Sequence, residues 1–117
     1  MSGTLELSDE LCWMPAGWVY DNVLECLAEE LRTEQPSVSR ALLQARTYEN
    51  GGYLDLRSAR TDEILALQHA AEKGYARLES EGASSFSLPE FYDGFVSQFL
   101  TLREMLQGRL RELSGGG

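Results

Sequence analysis

One stretch near the C-terminal end, residues 87–113, constrains the fold of this chain more than any other. Its apolar residues recur at steps of four and three, which is the spacing of one face of an α-helix. They are Phe91, Phe95, Phe99, Leu102, Leu106, Leu110 and Leu113. On a helix they fall within an arc of roughly 100°, and the helix would be about 40 Å long. The sequence therefore predicts a long core-forming helix over residues 88–113.

The residues before this stretch predict where the helix begins. Ser87 and Glu90 have the spacing of a capping box, in which each side chain satisfies a free backbone N–H of the first turn. Pro89 lies just inside that start, where its missing N–H costs little. We therefore expect a capped helix start at this point.

Three further helices are predicted near residues 21–34, 37–48 and 61–81. Leucine and valine recur with helical spacing in the first, and Asp21 suits its N-cap or first turn. In the third, Gly74 costs about 1 kcal/mol relative to alanine in a helix interior. We therefore expect another helix to approach closely at Gly74.

Short strand signals lie between these helices. Residues 4–7 alternate in a strand-like way, a single helical turn capped by Ser8 follows them, and residues 52–56 are the best strand candidate. The Asn-Gly-Gly sequence at 50–52 suits either a helix stop or a hairpin turn. A helix stop is favoured because residues 41–48 do not alternate. Residues 4–7 or 17–20 would supply the pairing partner of 52–56.

These patterns predict a mainly α fold. We expect a compact bundle of four to five helices around the long C-terminal helix, with a minor two- or three-stranded β element. A chain of 117 residues fits one domain, which we assign to residues 1–113. Residues 114–117 are interpreted as a flexible Gly-rich tail.

The charge of the chain limits its partners. The formal net charge is −9, and residues 1–35 hold eight acids against Arg32 alone. This balance argues against nucleic-acid binding, which depends on clustered lysine and arginine. No apolar run is long enough for a membrane span, and the N-terminus lacks signal-peptide features. We expect a cytoplasmic protein in which Cys12 and Cys26 are free thiols.

The sequence offers little catalytic chemistry. His69 is the only histidine, it falls away from the apolar stripe of its helix, and no nucleophile or carboxylate is spaced to work with it. No cysteine or histidine pair has the short spacing of a metal site, and no glycine-rich phosphate loop occurs. We predict that the protein is not an enzyme and takes no cofactor or metal.

The favoured hypothesis is a small acidic domain that inhibits or escorts a basic protein, in the manner of an immunity protein or antitoxin. Acidic helices mainly raise the association rate and the specificity of such complexes. The candidate contact residues are Trp13, Trp18, Asp21, Glu25, Glu29 and Glu30. The two tryptophans are expected either to cover the core or to form an exposed patch. Glu30 falls on the apolar side of its helix, where it lies at the core edge, pairs with an arginine or meets another chain.

Two alternatives remain open at the level of sequence. One is a self-associating structural or adaptor module, because the phenylalanine and leucine area exceeds what a few short helices cover; a homo-oligomer is therefore left open. The other is a small-ligand pocket lined by Trp13, Trp18, Tyr53 and Asp55.

Overall fold

The computed structural model describes residues 3–85 and 88–115. Its elements, in chain order, are β1 (Thr4–Glu6), β2 (Cys12–Trp13), α1 (Gly17–Leu31), α2 (Pro36–Gln44), α3 (Thr47–Asn50), β3 (Tyr53–Asp55), α4 (Thr61–Glu81) and α5 (Tyr92–Gly115). Two short 3-10 helices, Ala83–Ser85 and Pro89–Phe91, lie between α4 and α5. The predicted fold class is confirmed: a mainly helical bundle with a long C-terminal helix and a small sheet.

The core lies where α1, α4 and α5 pack together, with the sheet against one side. Leucine, isoleucine and aromatic side chains from the three helices are almost completely removed from water. The largest of them are Tyr20, Leu24, Leu27, Leu31, Ile64, Leu67, Phe99, Leu102 and Leu106. Burial of each such side chain contributes about 1.5–3 kcal/mol relative to exposure. The predicted inner face of α5 therefore points to the core over most of its length.

Helix α4 has its predicted bounds, whereas α1 differs from its prediction. It begins at Gly17, four residues before the predicted start, and ends at Leu31 rather than at 34. The early start follows from packing, because the Tyr20 ring is buried and its hydroxyl donates a hydrogen bond to the carbonyl oxygen of Ala45 at 3.0 Å. Residues 17–20 are thus helical, so the alternative in which they pair with residues 52–56 is wrong.

The predicted second helix is two helices. Helix α2 begins with Pro36, whose fixed φ suits the first helical position, and α3 is a separate turn. The backbone of Arg46 is extended, with φ −60° and ψ 156°, and this breaks the helix between them. Gly51 then ends α3 in the left-handed region with φ 73°, so the predicted helix stop is confirmed.

The sheet has the order β2-β1-β3. Strand β1 pairs with β3 in parallel, with Leu5 opposite Leu54, and with β2 in antiparallel. The pairing of residues 4–7 with 52–56 is therefore confirmed. The predicted helical turn at Ser8 is wrong: its hydroxyl oxygen accepts hydrogen bonds from the backbone N–H groups of Glu10 and Leu11 and holds the β1–β2 turn.

The start of α5 lies later than predicted, at Tyr92, because Pro89–Phe91 forms a 3-10 helix instead. The predicted cap at Ser87 falls outside the described residues. The helix continues to Gly115, so residues 114 and 115 of the predicted tail are helical. Phe91 lies before the α-helix and is 48% exposed, which makes its assignment to the core face wrong.

Gly74 is a point of close approach, as predicted. A Cβ placed on it would lie 2.8 Å from Sγ of Cys26 on α1 and 3.2 Å from Cζ of Phe99 on α5. These distances are shorter than ordinary carbon and sulfur contacts, so a side chain at residue 74 would displace both neighbours. The missing side chain therefore allows α1 and α5 to pack against α4.

We expect Gly74→Ala to lower the free energy of unfolding by about 1 kcal/mol, because overpacking outweighs the helix propensity of alanine. In a Cys26→Ala background, Gly74→Ala should lower the free energy of unfolding by less, because the sulfur atom nearest to the new Cβ has been removed. Urea unfolding of the two single variants and the double variant measures this coupling. A gain in stability from Gly74→Ala alone would contradict the close packing.

Candidate functional site

A groove of about 650 Å³ lies between α1, α4 and the segment that leads into α5. Each of these elements supplies a few side chains to its walls. The lining residues are Trp18, Asn22, Cys26, Gly74, Arg77, Leu78, Glu81, Leu88, Phe91, Phe95 and Phe99. We call this feature the groove below. Its volume is within the range of protein binding sites, about 300–1,000 Å³.

Aromatic rings form the groove from its mouth to its floor. The ring centroid of Trp18 lies 5.9 Å from that of Phe91 and 5.6 Å from that of Phe95. Phe95 in turn contacts Phe99, whose ring is buried. At the mouth, Trp18 is 44% exposed, and Leu88 and Phe91 are about equally accessible. Large apolar side chains that meet on one surface in this way are characteristic of interaction sites.

The floor of the groove contains the thiol of Cys26 beside Gly74. Burial raises the pKa of this thiol, the carboxylates of Glu30 and Glu81 raise it further, and Arg77 opposes them. A raised pKa keeps the thiol protonated at neutral pH, whereas reactive cysteines have lowered values. The groove therefore has an apolar floor rather than an activated nucleophile.

One ion pair stands at the edge of the groove. Arg77 of α4 donates a hydrogen bond to the largely buried carboxylate of Glu30 on α1. Of the three roles open to Glu30 from the sequence, the structure shows a position at the core edge and a pair with an arginine. This pair links the two helical walls.

An acidic ridge, formed by Glu25 and Glu29 on the exposed side of α1, runs along the groove. With Trp18 and Asn22 these residues fall within about 60° of the helix circumference, so the ridge continues the aromatic mouth. Glu25 lies 3.5 Å from Arg46, and Glu29 lies 3.5 Å from Arg32. The Glu29–Arg32 pair is exposed and contributes about 0–1 kcal/mol, so an incoming cation can replace Arg32, whereas the Arg46 side chain is largely buried.

The structure separates the six predicted contact residues. Trp18, Glu25 and Glu29 share one surface, with Glu30 at its edge. Trp13 is buried, packs on the ring of Tyr20 and donates its indole N–H to the carbonyl oxygen of Gln98 at 2.8 Å. A partner cannot reach it there, so Trp13 is left out of the proposed surface.

Asp21 also has a structural role, because its carboxylate is bonded to another helix. It is not the N-cap of α1, since α1 begins at Gly17. Its carboxylate instead accepts hydrogen bonds from the backbone N–H and the hydroxyl of Thr47, the first residue of α3. An aspartate in this position satisfies one of the free donors at a helix start. Asp21 is therefore a structural residue, and it lies about 100° around α1 from the groove residue Asn22.

Sequence reasoning missed the groove residues just before α5 and at its start. Leu88 was not assigned a role, and Phe91 and Phe95 were assigned only to the core. The excess of phenylalanine and leucine area was the available signal, but it gives no location.

The residues of the small-ligand alternative are not brought together: Tyr53 and Asp55 lie on β3 and neither lines the groove. Hydrogen bonds from Arg57 lower the pKa of the Asp55 carboxyl to about 2.

The described residues offer no metal-binding cluster of three or more histidine, cysteine, aspartate or glutamate side chains. His69 is exposed on α4, away from the groove. Residues 3–85 and 88–115 include no helix that is both long and apolar enough to cross a membrane. Both cysteines are free thiols.

Comparison with protein-family models, curated proteins and solved structures finds no significant match to this chain.

Proposed function

We propose that this domain binds a basic protein through the groove and the acidic ridge, and thereby inhibits or escorts it, as immunity proteins and antitoxins do. The observation that carries the proposal is the direct continuation of the aromatic mouth into the ridge along α1. Trp18 belongs to both surfaces, because it lines the groove and precedes Glu25 and Glu29 on the same helix face.

The two surfaces have different physical roles. An aromatic side chain that becomes desolvated in a pocket supplies much of the binding free energy and slows dissociation. Charges at the rim attract the oppositely charged partner and raise the association rate, but they add little to the lifetime of the complex. A domain with a net charge of −9 and an accessible tryptophan combines both effects.

Self-association is the main alternative, since an exposed apolar groove is also what a second copy would cover. Two copies would each bring a net charge of −9 to the interface. Helix α1 adds the two acids of the ridge, Glu25 and Glu29, beside the groove, and it contains no lysine or arginine. The like charges of two copies would repel each other across this contact, whereas a basic partner would be attracted to it. The charge therefore favours a different protein over a second copy.

The test is the association rate with the native partner, identified by co-purification from the host. The double variant Glu25→Lys/Glu29→Lys should associate about tenfold more slowly at low ionic strength, because steering toward a basic surface is lost. The difference should shrink as salt rises, since the Debye length falls to about 8 Å at physiological ionic strength. Stopped-flow kinetics at two salt concentrations measure it.

The matched control is Glu104→Lys, a reversal at an exposed residue of α5 outside the groove. It should change the rate much less than the double variant. Unchanged unfolding midpoints would show that both proteins remain folded. If the double variant associates as fast as the wild type, the ridge only keeps the domain soluble, and the proposal fails.

A further inference from the structure

We infer that the groove receives a single amphipathic helix of the partner, with an apolar face toward the aromatic rings and lysine or arginine toward α1. This inference rests on the proposed function and specifies the chemical form of the segment that is bound. It follows from the backbone of the groove walls, from their length and from their charge.

The walls favour a helix over an extended segment. The described lining residues belong to α1, α4, α5 or the 3-10 helix before α5, except Leu88, which immediately precedes that 3-10 helix. None of them belongs to a strand. An extended peptide would bury backbone N–H and C=O groups without a strand edge to pair with, at a cost of about 1–3 kcal/mol for each unsatisfied group. A helix satisfies these groups internally and can pack its side chains between those of the walls.

The length of the groove matches about two helical turns. On α1 it extends from Trp18 to Cys26, and on α4 from Gly74 to Glu81. Both spans are about 10–12 Å at the rise of an α-helix. A docked helix covers this distance with apolar residues at positions i, i+3 or i+4, and i+7, which is the recurring pattern of helix-in-groove recognition.

The charge of the walls selects a cationic helix. Beside the groove, α1 has Glu25 and Glu29 and no lysine or arginine. The part of α4 that lines it, residues 74–81, has Glu79 and Glu81 against Arg77. Arg77 is already paired with Glu30. Cations beside the apolar face of the docked helix would lie against Glu25, Glu29 and Glu81. An acidic amphipathic helix, or a second copy of this chain, would meet repulsion at the same edge.

Three synthetic peptides of about 18 residues, the length of five helical turns, provide the test. The first has leucines at helical spacing and lysine at the polar positions. The second has glutamate in place of lysine. The third has the composition of the first, rearranged so that leucine and lysine alternate as in a strand. Binding to the full chain is followed by tryptophan fluorescence, and Trp18→Phe identifies the signal because it leaves only Trp13.

The helical lysine peptide should shift the Trp18 emission to shorter wavelength and bind at least about tenfold more tightly than either other peptide, in a salt-dependent manner. It should also slow iodoacetamide alkylation of Cys26 at pH 9 and leave Cys12 unchanged, as mass spectrometry can measure. Cys26 lies in the groove floor and Cys12 on β2, so the two thiols report groove occupancy and general exposure separately.

Each contrary outcome overturns the inference in a defined way. Equal binding of the alternating peptide would favour an extended occupant, and equal binding of the glutamate peptide would remove the charge argument. Absence of binding by all three would exclude helix docking. A dimer that Trp18→Ala converts to a monomer in sedimentation would show a second copy in the groove. The proposed function is judged separately, by the association rate of the Glu25→Lys/Glu29→Lys variant with the native partner.

Discussion

Phe99→Ala is expected to lower the free energy of unfolding by about 3–5 kcal/mol. The ring is 1% exposed and packs edge-on against Phe95 and Tyr75, and it also closes on the backbone of Gly74. The ring fills space between α5 and α4, so the cavity left by truncation closes only if a helix moves. Urea unfolding followed by circular dichroism measures the loss.

Phe91→Ala is the matched control for this change, because it removes the same ring from a site that is 48% exposed. Its ring contacts that of Trp18 edge-on with the centroids 5.9 Å apart, and such contacts contribute about 0.5–1.5 kcal/mol. We therefore expect Phe91→Ala to lower the free energy of unfolding by about 1 kcal/mol or less. Equal losses for the two variants would mean that Phe99 does not lie at the centre of the core.

The parts of the fold that could be predicted are those in which apolar periodicity and local stop signals agree. Helix α4 begins at a first turn that contains acids and ends before Gly82, and its bounds were predicted to the residue. The buried face of α5 was predicted from Phe95 through Leu106 for the same reason. Burial of one helix face follows directly from 3.6-residue spacing, and no long-range information is needed.

The start of α1 was missed because local signals conflicted with periodicity. Proline and glycine are typical turn residues, so Pro15 and Gly17 favour a turn, yet Val19 and Tyr20 continue the apolar face of Val23 and Leu24 at steps of four. In the structure Pro15 precedes the helix and does not interrupt it. Burial of Tyr20 therefore decided the outcome, and a tertiary contact of this kind overrides a weak local preference.

The sheet and the burial of Trp13 depended on distant partners. A strand as short as Cys12–Trp13 has no sequence signature, and it exists because β1 pairs with it. Trp13 is held by a hydrogen bond to Gln98, a residue 85 positions later in the chain. Local patterns contain no information about such a contact, and this explains why Trp13 was predicted as a binding residue.

The sequence predicted the charged half of the candidate site and Trp18, but not the rest of the groove. The ridge of Glu25 and Glu29 is visible in the sequence, because acids at steps of four share one helix face. The groove requires residues 18–26, 74–81 and 88–99 to converge, and that convergence exists only in three dimensions.

Trp18→Ala is expected to increase the dissociation rate of the native partner about 30-fold, the equivalent of about 2 kcal/mol for a tryptophan anchor in a desolvated pocket. Surface plasmon resonance or a competition chase measures the rate. The matched control is Tyr53→Ala, since Tyr53 is 46% exposed against 44% for Trp18 but lies on β3, outside the groove. It should leave dissociation unchanged.

The two classes of variant should also differ in their response to salt. The Trp18→Ala effect should persist at high ionic strength, because burial of an aromatic ring does not depend on screening. The Glu25→Lys/Glu29→Lys effect should fade there, since it acts through long-range attraction. A Trp18→Ala variant that dissociates no faster than Tyr53→Ala would exclude the groove from the contact. An effect on association alone would place Trp18 at the rim of the interface, outside its buried centre.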